Sequence, residues 1–301
     1  MYIDIVIVNW NSGNQAFDCV NSIIANHLSV VSRIIIVDNN SSDGSENKVS
    51  NIPKVKLVRS NSNLGFSKAC NLGATYTNSD FILFLNPDTR LFSNSFDGIL
   101  DFMKYNENVG ILGIQLFDND NEVARSCSRF PSSLRFFSMA LGLNLIFPSL
   151  GMPMREWDHM TSRKVDQVIG AFFLIRKELF AQLKGFDERF FVYFEEVDLS
   201  FRAKKIGWDS YFYSEVGAFH EGGGVSKQVK GLRLFYRLRS SLQYAKKNFT
   251  LYQSIVTFII ITIIEPSTRI FRGILKLSLS TLKDTFKAFF LLYKWLLKNN
   301  I

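Results

Sequence analysis

The sequence has 301 residues, 47% of them hydrophobic and 21% charged, so the chain can bury a full core and does not have the composition of a disordered protein. Its three cysteines, Cys19, Cys70 and Cys127, form no C-x-x-C pair, which argues against a disulfide framework or a zinc ribbon and fits a reducing cytoplasm. The net charge of +8 is uneven, because residues 232–301 carry twelve Lys or Arg and two acidic residues whereas the preceding residues are net −2. We therefore expect a near-neutral domain joined to a basic segment that meets a polyanionic surface.

Short β-branched apolar runs alternate with helix-period segments from residue 3 to about residue 115. This alternation predicts βαβ units and an α/β fold with an open, mostly parallel sheet. The first apolar run follows Met1 without a basic leader, so no secretory signal is expected. The predicted strands are 3–8, 33–37, 55–59, 81–85 and 109–114, and the predicted helices between them are 14–26, 66–77 and 94–105.

The rest of the chain is less regular at first and then returns to order. Residues 116–165 contain three prolines and predict loops and short elements. We place a domain boundary so that residues 1–228 form one domain and residues 229–301 a C-terminal helical region. The predicted elements after residue 165 are a strand at 168–175, helices at 176–183, 195–206 and 229–247, and a mobile glycine-rich loop at 214–228.

Polar residues follow each of the first four predicted strands. In open α/β sheets, ligands bind where the carboxyl ends of the strands converge. Asn and Asp are also ordinary turn residues, so one such cluster alone means little, but four in register favour a binding site. The clusters are Asn9-Trp10-Asn11, Asp38-Asn39-Asn40, Asn61-Ser62-Asn63 and Asn86-Pro87-Asp88.

Asp88 is the strongest single candidate, because it follows a strand, 81–85, that should be buried on both faces. Its carboxylate would emerge at the edge of the sheet, where a hard divalent cation that bridges a diphosphate needs an oxygen ligand. The alternative is a helix N-cap. The next predicted helical segment starts near Ser93, too far along the chain for that role, so the pattern favours the metal.

Three carboxylates begin the helix predicted at 195–206, in the run Glu195-Glu196-Val197-Asp198. The helix macrodipole alone favours acidic residues in a first turn. The apolar run 190–194 that precedes them favours a second role, because an apolar surrounding raises the pKa of a carboxylate and makes it a better general base.

His220 is the best placed of the three histidines, since it precedes Gly222, Gly223 and Gly224 in the predicted loop. A lone histidine is more commonly a surface or packing residue. A flexible loop could nevertheless fold over a ligand and bring the imidazole nitrogen to a metal.

Five runs of residues occur together in a recognisable order and spacing. They are Val8–Asn11, Val37–Ser45, Asn63–Asn71, Leu85–Thr89 and Gly185–Leu199. In this arrangement they resemble family 2 glycosyltransferases over residues 3–225, and most of all the bacterial rhamnosyltransferases of cell-wall, capsule and O-antigen assembly.

The resemblance implies a GT-A fold, a nucleotide-sugar donor, a divalent metal (Mg or Mn) and inversion at the anomeric carbon. It also implies roles for particular residues. The nucleotide base and ribose would be held by Asn9, Trp10, Asn11, Asp38 and Asn39; the donor pocket would be shaped by Asn63, Gly65, Phe66, Asn71 and Asn86; and the metal would be held by Asp88 and His220.

Two departures from the family pattern matter. Asn86 stands where many relatives carry an aspartate, so the metal would depend more on His220. The base motif is usually Glu followed by Asp, whereas here it is Glu195-Glu196; we assign Glu196 as the base, Glu195 as the alternate, and Asp198 to structure.

The expected function is transfer of rhamnose from dTDP-rhamnose to a lipid-linked or oligosaccharide acceptor. Two alternatives stay open, a transferase that uses UDP-galactose or UDP-glucose, and a membrane-bound saccharide-binding or scaffold protein with a degenerate site. A nucleotidyltransferase is disfavoured, because residues 9–14 contain no Lys or Arg for a triphosphate.

The basic segment contains an apolar run, 249–264, of sixteen residues, fewer than the roughly twenty of a spanning helix, and Glu265-Pro266 is expected to end it. Lys and Arg residues between 269 and 298 then recur on one stripe of a predicted helix. This pattern predicts an amphipathic helix on an anionic membrane, with Tyr293 and Trp295 near the headgroups.

The alternative is that the apolar face of this helix packs on the protein itself or on a second copy in a homodimer. Nucleic acid is disfavoured as a partner, because the aromatic residues lie off the basic stripe. We therefore expect a cytoplasmic protein, peripheral on the inner face of the cell membrane through residues 249–301.

Overall fold

The computed structural model describes residues 1–222 and 230–299, which fall into two compact units. The first unit contains Met1–Arg129, Trp157–Glu188 and the described part of Glu195–Gly224. The second contains Phe130–Glu156, Arg189–Phe194 and the described part of Val225–Ile301. The second unit therefore draws on two segments from before residue 228, and the boundary placed there stays a prediction.

The strands belong to the first unit. Eight of them follow one another across a mixed sheet in the order β3-β2-β1-β4-β11-β6-β12-β5, with β7 paired to β6 and β9 to β12, while β8 and β10 form a small separate sheet. They are Ile3–Asn9 (β1), Val31–Asp38 (β2), Val55–Arg59 (β3), Phe81–Leu85 (β4), Thr89–Leu91 (β5), Val109–Phe117 (β6), Val123–Ala124 (β7), Cys127–Ser128 (β8), Arg163–Val165 (β9), Gln167–Val168 (β10), Phe172–Arg176 (β11) and Asp209–His220 (β12).

The helices belong to both units, and short 3-10 turns follow β2 and α4. They are Gln15–Asn26 (α1), Phe66–Ala74 (α2), Ile99–Tyr105 (α3), Ser133–Leu141 (α4), Lys177–Gln182 (α5), Glu195–Lys205 (α6), Lys230–Asn248 (α7), Leu251–Ile259 (α8), Glu265–Leu275 (α9) and Leu279–Lys298 (α10).

The parallel half of the sheet is the part that the sequence predicts best. Strands β1 to β4 are parallel, and every residue of β1 and β4 is buried, as expected of continuous apolar runs covered on both faces. The strand predicted at 168–175 is wrong in detail, because the chain breaks at 169–171 and β11 runs antiparallel between β4 and β6. The helix predicted at 94–105 begins only at Ile99, since Gly98 has a left-handed φ of 71° that interrupts it.

In the second unit the helix continues through Glu265-Pro266, so the prediction that these two residues end the apolar segment is wrong. Helices α8 and α9 are joined by a π-helical turn, Ile260–Ile264. The helix from Leu251 to Leu275 is long and apolar enough to cross a membrane by length and composition alone, although a third of its most apolar part (33%) is buried inside the protein.

Proline explains the wide turn. Pro266 has no N–H, so the carbonyl of Thr262, four residues earlier, loses its helical partner. The hydroxyl of Tyr293, on α10, donates a hydrogen bond of 2.6 Å to that carbonyl. The hydroxyl therefore satisfies a carbonyl within the protein, and the place of Tyr293 near the headgroups stays a prediction.

The single helical stripe predicted from 269 to 298 is also wrong. The helix breaks at 276–278, where Leu277 has a φ of 47° and the hydroxyl of Ser278 accepts a hydrogen bond from the backbone N–H of Thr281 as the N-cap of α10. A period of 3.6 residues extends through both helices, but a capping serine between them starts a new helix.

Replacing Tyr293 with Phe removes the partner of the Thr262 carbonyl and leaves its ring packing in place. We expect this change to destabilise the protein by about 1 to 2 kcal/mol, measured by thermal unfolding. Tyr252→Phe is the matched control, since the Tyr252 side chain is exposed. Equal melting temperatures for the two variants would contradict the role of Tyr293.

Candidate active site

The ends of β1 and β2 meet in a polar cluster around Asn9, which is fully buried. Its Nδ2 donates to Asp38 Oδ1 at 2.9 Å and to the hydroxyls of Ser45 and Ser41 at 2.9 and 3.2 Å, while Ser12 donates to its Oδ1. Asn9 and Asp38 are thus brought together as expected. With its amide fully engaged, Asn9 supports the loops of the site, and sequence reasoning missed the three hydroxyls that surround it.

The next loops are tied to this cluster by their own side chains. Asn39 Nδ2 donates to Asn63 Oδ1 at 3.0 Å, and Asn39 Oδ1 accepts from the backbone N–H of Leu64 at 2.8 Å. Gly65, with a φ of 81°, turns the chain into α2, so that Phe66 is the first residue of that helix. The predicted residues that follow β2 and those that follow β3 are therefore joined by hydrogen bonds into one side of the candidate site, which we call the wall.

Asn11 and Trp10 lie at the outer edge of this wall. Asn11 has a left-handed φ of 49°, and its Oδ1 accepts from the backbone N–H of Ser42 at 2.7 Å. The side chain of Trp10 is exposed. Of the residues assigned to the base and ribose, Trp10 therefore offers the most free surface to a ligand.

Asn71 has a different place from the other predicted donor-pocket residues. Its Oδ1 accepts from the backbone N–H of Phe186 at 2.9 Å, and its Nδ2 donates to the Phe186 carbonyl at 2.9 Å and to Glu188 Oε1 at 3.1 Å. These bonds tie α2 to the segment that follows α5. The geometry makes Asn71 a clamp between two segments of the first unit.

Asp198 and Arg202 strengthen the same region from α6. The fully buried Asp198 carboxylate pairs with the Arg202 guanidinium at 2.7 Å, and Arg202 also donates to the carbonyls of Leu183 and Gly185. Arginine, with five N–H donors, can hold a carboxylate and two carbonyls at once. This geometry agrees with the structural role assigned to Asp198.

The structure brings Asp88 and His220 together but corrects the predicted place of the histidine. His220 is the last residue of β12 and pairs with Thr89 of β5, so it lies on a strand and not in a mobile loop. The rest of that predicted loop, from residue 223, lies outside the described residues. Asp88 Oδ1 and His220 Nε2 are 3.3 Å apart, and their side chains are 9% and 13% exposed.

This pair can hold a divalent cation of the kind that accepts both carboxylate and imidazole, such as Mn²⁺. Over residues 1–222 and 230–299, no cluster of three or more His, Cys, Asp or Glu side chains offers a complete metal site. A cation here would take its other ligands from a diphosphate and water, as Mg²⁺ and Mn²⁺ sites in nucleotide-binding proteins commonly do. The pair therefore fits the metal that the sequence predicts.

The surroundings of Asp88 are fixed by the backbone. The N–H of Asn86 donates to the carbonyl of Ala171 at 3.1 Å, and the N–H of Glu221 donates to the carbonyl of Asp88 at 3.1 Å. Glu221 also accepts from Gln15 Nε2 at 2.8 Å, a contact that sequence reasoning missed. A cavity of about 80 Å³ opens here, lined by Gln15, Asp18, Pro87, Asp88, Arg90, Asn119, Phe219 and Glu221.

Glu195 and Glu196 occupy the first turn of α6. Burial raises the pKa of Glu196 to about 7, and burial together with the neighbouring Glu196 raises the pKa of Glu195 well above its ordinary value. Among the described residues, the Oε2 atom of each has no hydrogen-bond partner. The pKa of the nearby Cys70 thiol is raised mainly by its burial, and further by the charges of the two carboxylates.

A carboxylate that ionises near neutral pH is a good general base, and an oxygen without a partner is free to accept a proton from a ligand. No hydrogen bond joins the Glu195–Glu196 pair to Asp88 within the parts of the chain that the structure describes. Asp88 and His220 lie at the end of the sheet, and Glu195 and Glu196 lie at the start of α6.

Comparison with known proteins decides the family. The model of the family described as "Glycosyl transferase family 2" matches residues 4–184. This chain belongs to that family. The predicted GT-A fold is likewise confirmed, since a mannosyltransferase of Pyrobaculum calidifontis, solved with GDP-Man and Mn²⁺, superposes with a TM-score of 0.56 at 12% identity over 95% of this chain and 73% of its own. TarS 1-349 of S. aureus superposes with a TM-score of 0.53 at 14% identity over 95% and 89%.

Several relatives are rhamnosyltransferases. The chain is 30% identical to the N-acetylglucosaminyl-diphospho-decaprenol L-rhamnosyltransferase of Mycobacterium tuberculosis, over 62% of this chain and 66% of the relative, just under two thirds of its length. It is 26% identical to the rhamnosyltransferase WbbL of Escherichia coli over 60% and 69%. It is 23% identical to the dTDP-rhamnosyl transferase RfbF of Shigella flexneri over 71% of each chain.

The raised pKa of Glu196 predicts how stability depends on pH. Between its ordinary pKa of 4.5 and about 7, the folded protein holds a proton at Glu196 that the unfolded chain has lost, so the free energy of unfolding falls as the pH rises through this window. Glu196→Gln cannot ionise. We expect its stability relative to the wild type to be greater at pH 8 than at pH 5, measured by urea unfolding.

The exposed Glu107 supplies the control for this prediction. Glu107→Gln should differ from the wild type by the same amount at both pH values. If Glu196→Gln also shows no change with pH, Glu196 ionises in the folded protein as it does in water.

Proposed function

We propose that this protein transfers rhamnose from dTDP-rhamnose to a lipid-linked saccharide, with inversion at the anomeric carbon, in the assembly of a bacterial surface polysaccharide. The observation that carries the proposal is the Asp88–His220 pair, 3.3 Å apart at the end of the sheet in a member of glycosyl transferase family 2. The choice of sugar is supported by the similarity to three rhamnosyltransferases. The lipid-linked acceptor is supported by the decaprenol named for the mycobacterial relative.

The reaction we propose is one in-line displacement. The oxygen of an acceptor hydroxyl attacks the anomeric carbon of the donor, and the bond from that carbon to the diphosphate oxygen breaks. Glu196 accepts the proton of the hydroxyl, and a pKa of about 7 leaves a substantial fraction of its carboxylate ionised at neutral pH. Glu195 is the alternate base, and burial raises the pKa of its carboxyl group well above the ordinary value as well.

Asp88 and His220 would hold Mg²⁺ or Mn²⁺. When bound, the cation neutralises the charge of the departing diphosphate. The chain's own contribution is to hold the carboxylate just before β5 and the imidazole at the end of β12, so that little reorganisation is needed when the donor arrives.

Donor choice and the role of Asp88 can be tested by thermal unfolding with Mn²⁺ and a panel of nucleotide sugars. We expect dTDP-rhamnose to raise the melting temperature more than UDP-galactose, UDP-glucose or GDP-mannose, because at equal concentration a ligand that binds more tightly stabilises the folded protein more. Asp88→Ala should lose the part of this shift that depends on Mn²⁺, whereas Asp97→Ala, on an exposed carboxylate, should keep it. A larger shift with UDP-galactose or UDP-glucose would refute rhamnose as the sugar.

The assignment of the base can be tested by steady-state kinetics. Glu196→Gln should retain donor binding and lose transfer by a factor on the order of a hundred or more. For the wild type, kcat/KM should rise with pH and level off above about pH 7, since the ionised carboxylate is the active form. Near-normal turnover of Glu196→Gln, with loss in Glu195→Gln, would move the role to Glu195.

We further propose that the second unit holds the protein on the anionic cytoplasmic leaflet. Its last three helices carry exposed apolar side chains together with Lys and Arg, the combination that favours an anionic interface. The exposed apolar residues there include Tyr252, Ile255, Ile263, Phe271, Ile274, Leu275, Leu277, Leu279, Phe286, Phe290 and Leu297. A homodimer that uses the same surface, and the expected lack of a nucleic-acid partner, stay predictions.

Membrane binding can be measured by co-sedimentation with vesicles that contain phosphatidylglycerol. The double variant Phe286→Asp/Phe290→Asp, on one face of α10, should bind much less than the wild type. Tyr105→Asp makes the same kind of change at an exposed aromatic residue of the first unit and should bind as the wild type does. Equal binding of all three proteins would contradict the membrane proposal.

A further inference from the structure

An apolar groove runs between α4 and the helix formed by α8 and its π-helical turn, all within the second unit. Polar contacts join these helices. Near the start of α4, Ser133 Oγ lies 2.9 Å from Thr257 Oγ1 and donates to the carbonyl of Gln253 at 3.1 Å. Near the end of α4, Arg272 of α9 donates to the carbonyl of Ala140 at 3.3 Å. These bonds hold the helices side by side.

The groove has a volume of about 330 Å³ and is lined by Ser133, Leu134, Phe137, Val256, Ile259, Ile260 and Ile264. Leu134 and Ile259 are 61% and 42% exposed, so the groove opens to the outside. An apolar cavity of about 150 Å³ is large enough to bind benzene. This groove, at about twice that volume, can take a segment of one branched hydrocarbon chain.

Three arginines form a cluster near Glu265 in the same unit. Glu265 follows Ile264 directly, and both Arg237 and Arg269 bind its Oε1 atom. Arg272, three residues beyond Arg269 on the same helix, is its neighbour on the helix surface. With one carboxylate and three guanidinium groups, this arginine cluster has a net charge of +2.

The cluster has hydrogen-bonding capacity to spare. Among the described residues, Glu265 is the one side-chain partner of both Arg237 and Arg269, whose side chains are 30% and 35% exposed. Each guanidinium has five N–H donors, and their planar arrangement matches the oxygens of a phosphate. An anion could therefore bind to both arginines without breaking their contacts to Glu265.

We propose that the apolar groove and the arginine cluster together bind the isoprenoid diphosphate end of the lipid-linked acceptor, with the chain in the groove and the diphosphate at Arg237, Arg269 and Arg272. The proposal rests on the lipid-linked acceptor of the proposed function. A single groove with one charged end suits a one-chain lipid, whereas a phospholipid brings two chains. The net charge of +2 also suits a diphosphate better than the single negative charge of a phosphodiester headgroup.

The test uses the full chain in phosphatidylcholine nanodiscs and isothermal titration calorimetry with three probes: farnesyl diphosphate, inorganic diphosphate and farnesol. Farnesyl diphosphate should bind more tightly than either part alone. Arg269→Gln should weaken farnesyl diphosphate and inorganic diphosphate about tenfold and leave farnesol unchanged. Ile259→Trp, which fills the groove, should weaken farnesyl diphosphate and farnesol and leave inorganic diphosphate unchanged.

Two further variants control for charge and fold. Arg269→Lys keeps the charge but not the planar donor pair, so its affinity for farnesyl diphosphate should lie between those of the wild type and Arg269→Gln. Lys283→Gln removes one exposed positive charge from α10 and should bind all three probes as the wild type does. Thermal shifts with dTDP-rhamnose, measured on each variant, should be unchanged because the donor is assigned to the first unit.

Two results would overturn the inference. In the first, farnesyl diphosphate binds no more tightly than inorganic diphosphate, or Arg269→Gln and Ile259→Trp do not differ in which of the two parts, diphosphate or hydrocarbon chain, they bind less tightly. In the second, both variants lose binding to phosphatidylglycerol vesicles while the wild type fails to bind farnesyl diphosphate, which would make the groove a phospholipid site. Neither depends on a nucleotide sugar, so failure of the proposed donor would appear separately, as a lack of stabilisation by dTDP-rhamnose.

Discussion

The antiparallel pairing of β5 with β12 is the constraint on which the candidate metal site depends. Asp88 directly precedes β5 and His220 ends β12, so the pairing of Thr89 with His220 sets the distance between the two side chains. The bond from the Glu221 N–H to the Asp88 carbonyl closes the same corner. Because backbone contacts hold both candidate ligands in place, His220 is positioned to serve as a second protein ligand where the chain has Asn86 and many relatives carry an aspartate.

Around this corner, the asparagines that seemed equivalent in the sequence divide into supports and free groups. Asn9, Asn39 and Asn71 use their amides on neighbouring loops and backbone. Buried amides must be satisfied in this way, since an unpaired one costs free energy. Trp10, whose side chain is exposed, and the carboxylates of Glu195 and Glu196, whose Oε2 atoms have no partner among the described residues, keep capacity for a ligand.

The sequence predicts what local patterns determine. The runs of β1, β2, β3, β4 and β6, the start of α6, the family and the GT-A fold were all within its reach. The placement of His220 on a strand was not, because His220 pairs with Thr89, more than a hundred positions away in the chain. The sequence also did not predict the π-helical turn before Pro266, where the Tyr293 hydroxyl of another helix binds the carbonyl of Thr262. The break at Leu277 was not predicted either. Periodicity treats each helix in isolation, whereas these features are set by tertiary contacts.

We propose that this family 2 transferase binds its donor through a cation at Asp88 and His220. The most direct measurement is a crystal structure of the protein with Mn²⁺ and dTDP, in which anomalous scattering locates the manganese. We expect a manganese peak that contacts Asp88 Oδ1, His220 Nε2 and oxygens of the nucleotide's diphosphate. Bound dTDP with no manganese at this pair, or with its diphosphate at another place on the protein, would contradict it.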